Sequence, residues 1–233
     1  MQEVICRDLG RIDYGEAWQY QEELFSKSVS SKLGNRNASV QEKVNNYFLF
    51  CEHPHVYTLG KSGSEDNLLL NKDALEAGQM SFFKINRGGD ITYHGPGQVV
   101  GYPILDLDQF FTDIHKYLRF LEEVIIETLQ HYGLSSGRVE GLTGVWIEPE
   151  NPEKARKVCA MGVRCSRWVT MHGFALNVNT DMNYFKNIHP CGIKDKPVTS
   201  LALEIGRQVD LEEIKSIILA NFQRIFNVRC VYE

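Results

Sequence analysis

Twelve consecutive residues, Arg87-Gly88-Gly89-Asp90-Ile91-Thr92-Tyr93-His94-Gly95-Pro96-Gly97-Gln98, contain four glycines and a proline. That density defeats any regular element, because glycine weakens an element interior by roughly 0.5–1 kcal/mol and proline removes a backbone donor. The segment therefore reads as a glycine-dense turn between two extended runs, Phe82–Asn86 and Gln98–Leu105. Glycines also let backbone approach a ligand closely and offer N–H groups as donors. A tight hairpin and a binding loop both satisfy this composition. Arg87 and His94 beside the turn favour the loop. It is neither a Walker A loop, lacking the GK[ST] ending, nor a GxGxxG fingerprint.

The rest of the chain mixes strand and helix patterns without a strict βαβ rhythm. Val4–Leu9 reads as a first strand, followed by a helix over Tyr14–Lys32 with Trp18, Gln21 and Phe25 at helical spacing. Gly34–Asn46 has loop composition. Tyr47–Cys51 is a buried strand, broken by His53-Pro54-His55 and resumed by Val56–Leu59. A short helix is expected at Lys72–Ala77, capped by Asn71 and stopped by Gly78, and the clearest helix runs from Thr112 to Tyr132 ahead of Gly133. Val145–Ile147, Lys157–Cys165 and Val169–Val178 are three more strands, with a Pro149- and Pro152-bearing loop at Glu148–Ala155. Asp210 and Glu213 form a capping box for a last helix through Phe226, and Val228–Tyr232 is an edge strand.

Segregated helices and strand pairs make this an α+β fold: a central mixed, largely antiparallel sheet flanked by helices. Phe82–Leu105 and Lys157–Val178 would each be an antiparallel pair. No composition break divides residues 1–233, so one catalytic domain is expected, with a small C-terminal subdomain from about Met182 as the variant. With 43% apolar and 24% charged residues, the chain has the balance of a globular domain. At this length roughly 70–75% of the unfolded surface is hidden on folding, and no disulfide or metal staple is needed. A formal charge of −5 argues against nucleic acid as a partner. No apolar run reaches the eighteen or so residues of a membrane span, and Glu3, Arg7 and Asp8 do not suit a signal peptide, so the expected address is the cytoplasm.

Two further segments carry chemistry. Lys157 opens an otherwise apolar strand whose hairpin reaches His172-Gly173-Phe174-Ala175. A lysine at a strand end is ordinarily solvated, whereas partial burial would make it a usable base. Between Pro152 and Trp168 the charges are Lys154, Arg156, Lys157, Arg164 and Arg167 against Glu153, a local net of +4 on a net-acidic chain. That stretch is a candidate docking face for an acidic partner. The other segment is His189-Pro190-Cys191-Gly192. The cysteines at 6, 51, 159, 165, 191 and 230 include no CxxC pair, and five of them read as small buried hydrophobes. Cys191, between a proline and a glycine, suits a reactive position better than a core, and its N–H and that of Gly192 can face a substrate oxygen. Metal binding by His189 and Cys191 with His94 or His172 is conceivable, and nothing in the spacing demands it.

Taken together, RGGDITYHGPGQ at 87–98, K-x-x-x-x-G-x-R from Lys157, H-G-x-A-L-N-V at 172–178 and PCG-I at 190–193 resemble the octanoyltransferases of lipoate biosynthesis, in the biotin/lipoate protein ligase fold group. Four motifs in the right order from His53 to Leu201 are specific. The first fifty residues and the last thirty match only in general character, and Gly34–Asn46 looks like a local insertion. The resemblance implies transfer of an octanoyl group from acyl carrier protein to the lysine of lipoyl domains, those of 2-oxoacid dehydrogenases and the glycine cleavage H protein, as the first step of endogenous lipoylation. It implies Cys191 as acyl-thioester nucleophile and Lys157 as the base that lowers its effective pKa. Arg87, Gly88, Gly89, Asp90, Ile91, Thr92, Tyr93 and His94, with Ala160, Met161, Gly162, Gly173, Phe174 and Ala175, would form the acyl pocket. No cofactor and no metal are expected, and a monomer is. A free thiol has a pKa near 8.5 and a lysine near 10.4, so both the nucleophile and the acceptor need a base near neutral pH. The rival readings are an ATP-dependent lipoate–protein ligase of the same fold, a non-catalytic acyl-binding module, and a thiol hydrolase using Cys191 with His172 or His94.

Overall fold

The computed structural model describes residues 1–36, 39–40, 42–189 and 197–233. Its strands are β1 (Gln2–Arg11), β2 (Asn46–Glu52), β3 (Val56–Leu59), β4 (Ser81–Lys84), β5 (Ile91–His94), β6 (Gln98–Ile104), β7 (Ser136–Val139), β8 (Leu142–Ile147), β9 (Arg156–Ser166), β10 (Val169–Asn177) and β11 (Val228–Tyr232). The helices are α1 (Tyr14–Asn35), α2 (Lys72–Ala77), α3 (Ile114–His131), α4 (Leu201–Ile205) and α5 (Leu211–Phe226).

Eight strands form one mixed sheet in the order β11-β1-β2-β6-β10-β9-β8-β7. The β11–β1 and β1–β2 pairings are parallel, and the others are antiparallel. Strand β2 shows why both faces are covered. Its first six residues are all buried, and alternation sends them to two cores. Phe48 and Phe50 join Tyr117, Leu121 and Phe222 under α3 and α5, whereas Tyr47, Leu49 and Cys51 meet Leu24 and Phe25 of α1. The sheet is thus flanked by helices on both sides, as the α+β reading expects. Among the described residues no helix is long and apolar enough to cross a membrane.

Helix ends follow local chemistry. Asp13 accepts from Gly15 N at 2.7 Å ahead of α1, Asp113 from His115 N at 2.9 Å ahead of α3, and Asn71 from Ala74 N at 2.9 Å ahead of α2. Asp210 caps α5 through Glu212 N, but the expected box does not close. Glu213 accepts instead from the Tyr132 hydroxyl at 3.3 Å, tying α5 to the end of α3. Beyond Met182, α5 packs on α3 and β11 takes the sheet edge beside β1.

Two expectations need correction. Ile91–His94, inside the glycine-dense segment, is a strand, because the glycines cluster at its two ends and leave four residues free to alternate. It pairs antiparallel with β3, which pairs parallel with β4, in a separate three-stranded sheet. Phe82–Asn86 consequently does not pair with Gln98–Leu105, whereas β9 and β10 do form the expected hairpin. Two elements were hidden by their composition: β7, which carries Ser136 and Gly137, and α4, five residues long and capped by Ser200.

Candidate active site

The small sheet packs its loops against the β9–β10 hairpin, and a cavity of about 560 Å³ lies between them, within the usual range for ligand sites. Backbone makes the junction. Gly88 N donates to Val163 O at 3.0 Å, while Lys61 N and Ser62 N donate to Arg87 O and Gly89 O. A Cβ on Gly162 would stand 2.6 Å from Gly88 O, so this close approach requires glycine. The Arg87 guanidinium is buried and donates to Thr58 O at 2.8 Å, Thr58 Oγ1 at 3.0 Å and Gly88 O at 3.0 Å. Asp90 accepts from Asn67 Nδ2 at 2.7 Å.

The cavity wall carries two histidines, and a third lies behind it, all with their positive forms disfavoured. His94 donates from Nδ1 to Gln98 Oε1 at 2.8 Å, and Gln98 Nε2 in turn donates to Asn177 Oδ1 at 2.9 Å. Burial, with His53 and Arg87 nearby, pushes the His94 pKa down to about 3. His172 reaches about 3 through burial and the Arg87 and Arg164 charges, and sits at φ 60° in the left-handed region with Nε2 3.2 Å from Asn86 Oδ1. Behind the wall, His53 falls to about 4 by burial, donating to Ile12 O at 2.9 Å and accepting from the Tyr102 hydroxyl at 2.8 Å. Near neutral pH His94 and His172 therefore present uncharged rings to the cavity beside the Arg87 guanidinium.

Lys157 lies on the opposite side, at the start of β9. Its ammonium is 4.8 Å from the centroid of the Trp146 ring. Its backbone is fixed by two hydrogen bonds: Lys157 N donates to Pro197 O at 2.9 Å, and Thr199 N donates to Lys157 O at 2.9 Å. His189 N donates to Asn67 O at 2.8 Å. Cys191 lies outside the described residues. Burial pushes the Cys51, Cys159 and Cys165 thiols up, and hydrogen bonding to Cys230 together with burial does so for Cys6.

The structure brings Arg87, Gly88, Gly89, Asp90, Ile91, Thr92 and His94 to the cavity together with Lys157, Ala160, Met161, Gly162, Gly173, Phe174 and Ala175. Tyr93 is not brought there. Strand alternation turns it into the small sheet's own core, against Tyr57, Tyr184 and Phe185, where its hydroxyl and His55 Nδ1 share a hydrogen bond of 2.7 Å. Sequence reasoning missed Tyr14, Leu118, Tyr102 and Trp146, which also line the cavity. Leu118 belongs to the apolar face of α3, so periodicity assigns it to the core, and its neighbourhood to the site is a tertiary fact.

Residues 13–223 match the family model described as the lipoyl protein ligase A/B catalytic domain. The chain is 60% identical over 232 residues to an octanoyltransferase of Christiangramia forsetii, covering 99% of each, and 61% identical over 229 residues to one of Flavobacterium johnsoniae, covering 98% of each. Its fold is similar to that of a bipartite lipoate protein ligase from the archaeon Thermoplasma acidophilum, with a TM-score of 0.72 at 14% identity over 100% of this chain and 87% of that one. Full-length identity at this level to proteins with one activity, on a fold shared with lipoate ligases, establishes that the chain belongs to the octanoyltransferases, acyltransferases built on the lipoyl protein ligase A/B catalytic domain.

Proposed function

We propose that the chain takes its octanoyl group from acyl carrier protein and passes it to a lysine of a lipoyl domain through a thioester on Cys191, with Lys157 as proton carrier. The observation that carries this reading is the position of Lys157. It faces the cavity while its backbone grips Pro197 and Thr199, just after the segment that holds Cys191. The other end of that segment is tied down through His189 and Asn67, and Asn67 also holds Asp90 at the cavity. The raised thiol pKa values at Cys6, Cys51, Cys159 and Cys165 disfavour a thiolate at those positions, and none of the four lines the cavity.

The chemistry then balances in two steps. Lys157, neutral, takes the Cys191 thiol proton, and the thiolate attacks the octanoyl thioester carbonyl. The carrier's sulfur leaves and recovers the proton from Lys157, so one thioester replaces another. In the second step the amine of the acceptor lysine attacks the Cys191 thioester. Lys157 removes the proton that the nitrogen must lose, and Cys191 leaves as thiolate and is reprotonated. An amide replaces a thioester, and no nucleotide enters. The apolar groups Leu118, Met161 and Phe174 provide a lining for the alkyl chain.

Intact-mass analysis after mixing the protein with octanoyl-acyl carrier protein, without ATP, tests the reading. A single octanoyl adduct is expected on the parent chain, removed by a lipoyl domain and missing in Cys191→Ala. Lys157→Ala should also fail to transfer. An adduct that persists in Cys191→Ala would overturn the nucleophile. Octanoylation only with ATP and free octanoate would move the reading to a ligase.

A further inference from the structure

A buried carboxylate outside the cavity reaches β8, the strand that pairs with β9. Glu122, on α3, is completely buried. Its Oε1 accepts from the backbone N–H of Gly144 at 3.1 Å, and its Oε2 from Arg138 Nε at 2.8 Å and Arg119 NH1 at 2.7 Å. The two arginines reach solvent, whereas the Gly144 N–H is buried. The carboxylate thus joins a surface charge cluster to one backbone group in the middle of β8.

Gly144 is unusual in its own right. Its φ of 116° belongs to a region essentially closed to other residues, and an added Cβ would collide with Cys159 O. That same position lies 3.5 Å from Lys157 Cε, so the lysine stem runs over the bare glycine backbone. Two residues on, the β8–β9 pairing shifts: Val145 faces Cys159 but Trp146 faces Lys157, leaving Val158 as the extra residue of a bulge. Bulges re-aim side chains. Here the bulge sets Lys157 opposite Trp146, with its ammonium near that ring.

We propose that Glu122 is a positioning residue for Lys157, acting through Gly144: its carboxylate oxygen holds the positive-φ glycine that forms the floor under the lysine stem. This rests on the reading of Lys157 as the proton carrier. The acceptor oxygen matters for catalysis, and the negative charge matters for pairing with the arginines and hence for stability.

Two substitutions separate those contributions. Glu122→Gln keeps an oxygen at the same reach and removes the charge. Glu122→Asp keeps the charge and withdraws the oxygen by about one carbon–carbon bond, beyond hydrogen-bond reach of Gly144 N–H. Octanoyl transfer kinetics and thermal midpoints are measured for both, with Lys157→Ala in parallel. The expected result is that Glu122→Asp loses about tenfold or more in kcat, with KM for donor and acceptor unchanged within about twofold, while Glu122→Gln keeps kcat within about threefold despite a lower midpoint. A rate that follows the charge, low in Glu122→Gln and preserved in Glu122→Asp, overturns the proposal. So does a loss in both that tracks the midpoints, or parental kcat in both. Full activity of Lys157→Ala would instead defeat the underlying reading, whatever Glu122 does.

Discussion

Lowering the pH from about 7 to about 5 should destabilise this protein through His53, His94 and His172 before its carboxylates matter. Each is buried neutral, with the pKa held down to about 4, about 3 and about 3 against an unfolded value of 6.5. The unfolded chain therefore binds protons that the native chain refuses. For a depressed pKa the stability is fully present above the unfolded value and is lost as pH falls toward the folded one. At about pH 5 each histidine has passed roughly 1.5 pH units of that window, and at 1.36 kcal/mol per unit this costs about 2 kcal/mol. Three together cost about 6 kcal/mol, comparable to the 5–15 kcal/mol that holds an ordinary domain. His55, also lowered by burial, acts in the same direction. Glu204, whose carboxyl is held down first by its hydrogen bonds to Arg156, contributes only at lower pH. Urea unfolding at pH 7, 6 and 5, with side-chain NMR titration of the histidines, measures both the slope and its source. A loss under about 2 kcal/mol, or ordinary pKa values for these three rings, would refute the reasoning.

Two further outcomes follow from packing. Phe48→Ala should lose about 3–5 kcal/mol in urea unfolding with an unchanged slope, because its fully buried ring sits 4.7 Å from those of Phe50 and Phe222, and the void lies between sheet and helix. Gly162→Val should cost about a hundredfold in kcat/KM, since the added carbons displace Gly88 and the Arg87 loop by an ångström or more. Circular dichroism should show the fold retained.

Much of the fold is legible because local signals agree with tertiary ones. The unbroken apolar run Tyr47–Cys51, Asn71 before α2, and Gly133 after α3 each specify an element by chemistry within a few residues. The failures share a cause. The β5 strand sits inside a segment whose glycines dominate any composition window, and the choice of β3 over β6 as its partner depends on chain segments far apart in sequence. The site is legible to a similar degree. Motifs locate the loops that approach the cavity, yet Tyr93, inside the strongest motif, faces away because the strand period is two. Trp146 and Glu122 carry no motif at all. The place of Trp146 opposite Lys157 arises from a register shift between β8 and β9 that no single segment encodes.

The basic run between Pro152 and Trp168 shows how a charge sum can mislead about a surface. Arg156 is held by Glu204, at 2.5 Å, and Glu148, at 2.8 Å, and Arg164 by Glu22 at 2.6 Å. Lys157 faces the cavity. The exposed members, Lys154 and Arg167, flank β9 at opposite ends, and an eleven-residue strand extends for roughly 30 Å or more. That separation is several Debye lengths at physiological salt, where the screening distance is about 8 Å, so the two charges cannot act as one patch. Replacing both, as Lys154→Gln with Arg167→Gln, should leave KM for an acidic carrier protein within about twofold at low and moderate salt, since exposed single charges contribute under about 1 kcal/mol. Steady-state kinetics across a salt series reads this directly. A tenfold rise in KM that vanishes at high salt would show that the run docks the carrier after all, and that the ion pairs of Arg156 and Arg164 open to meet it.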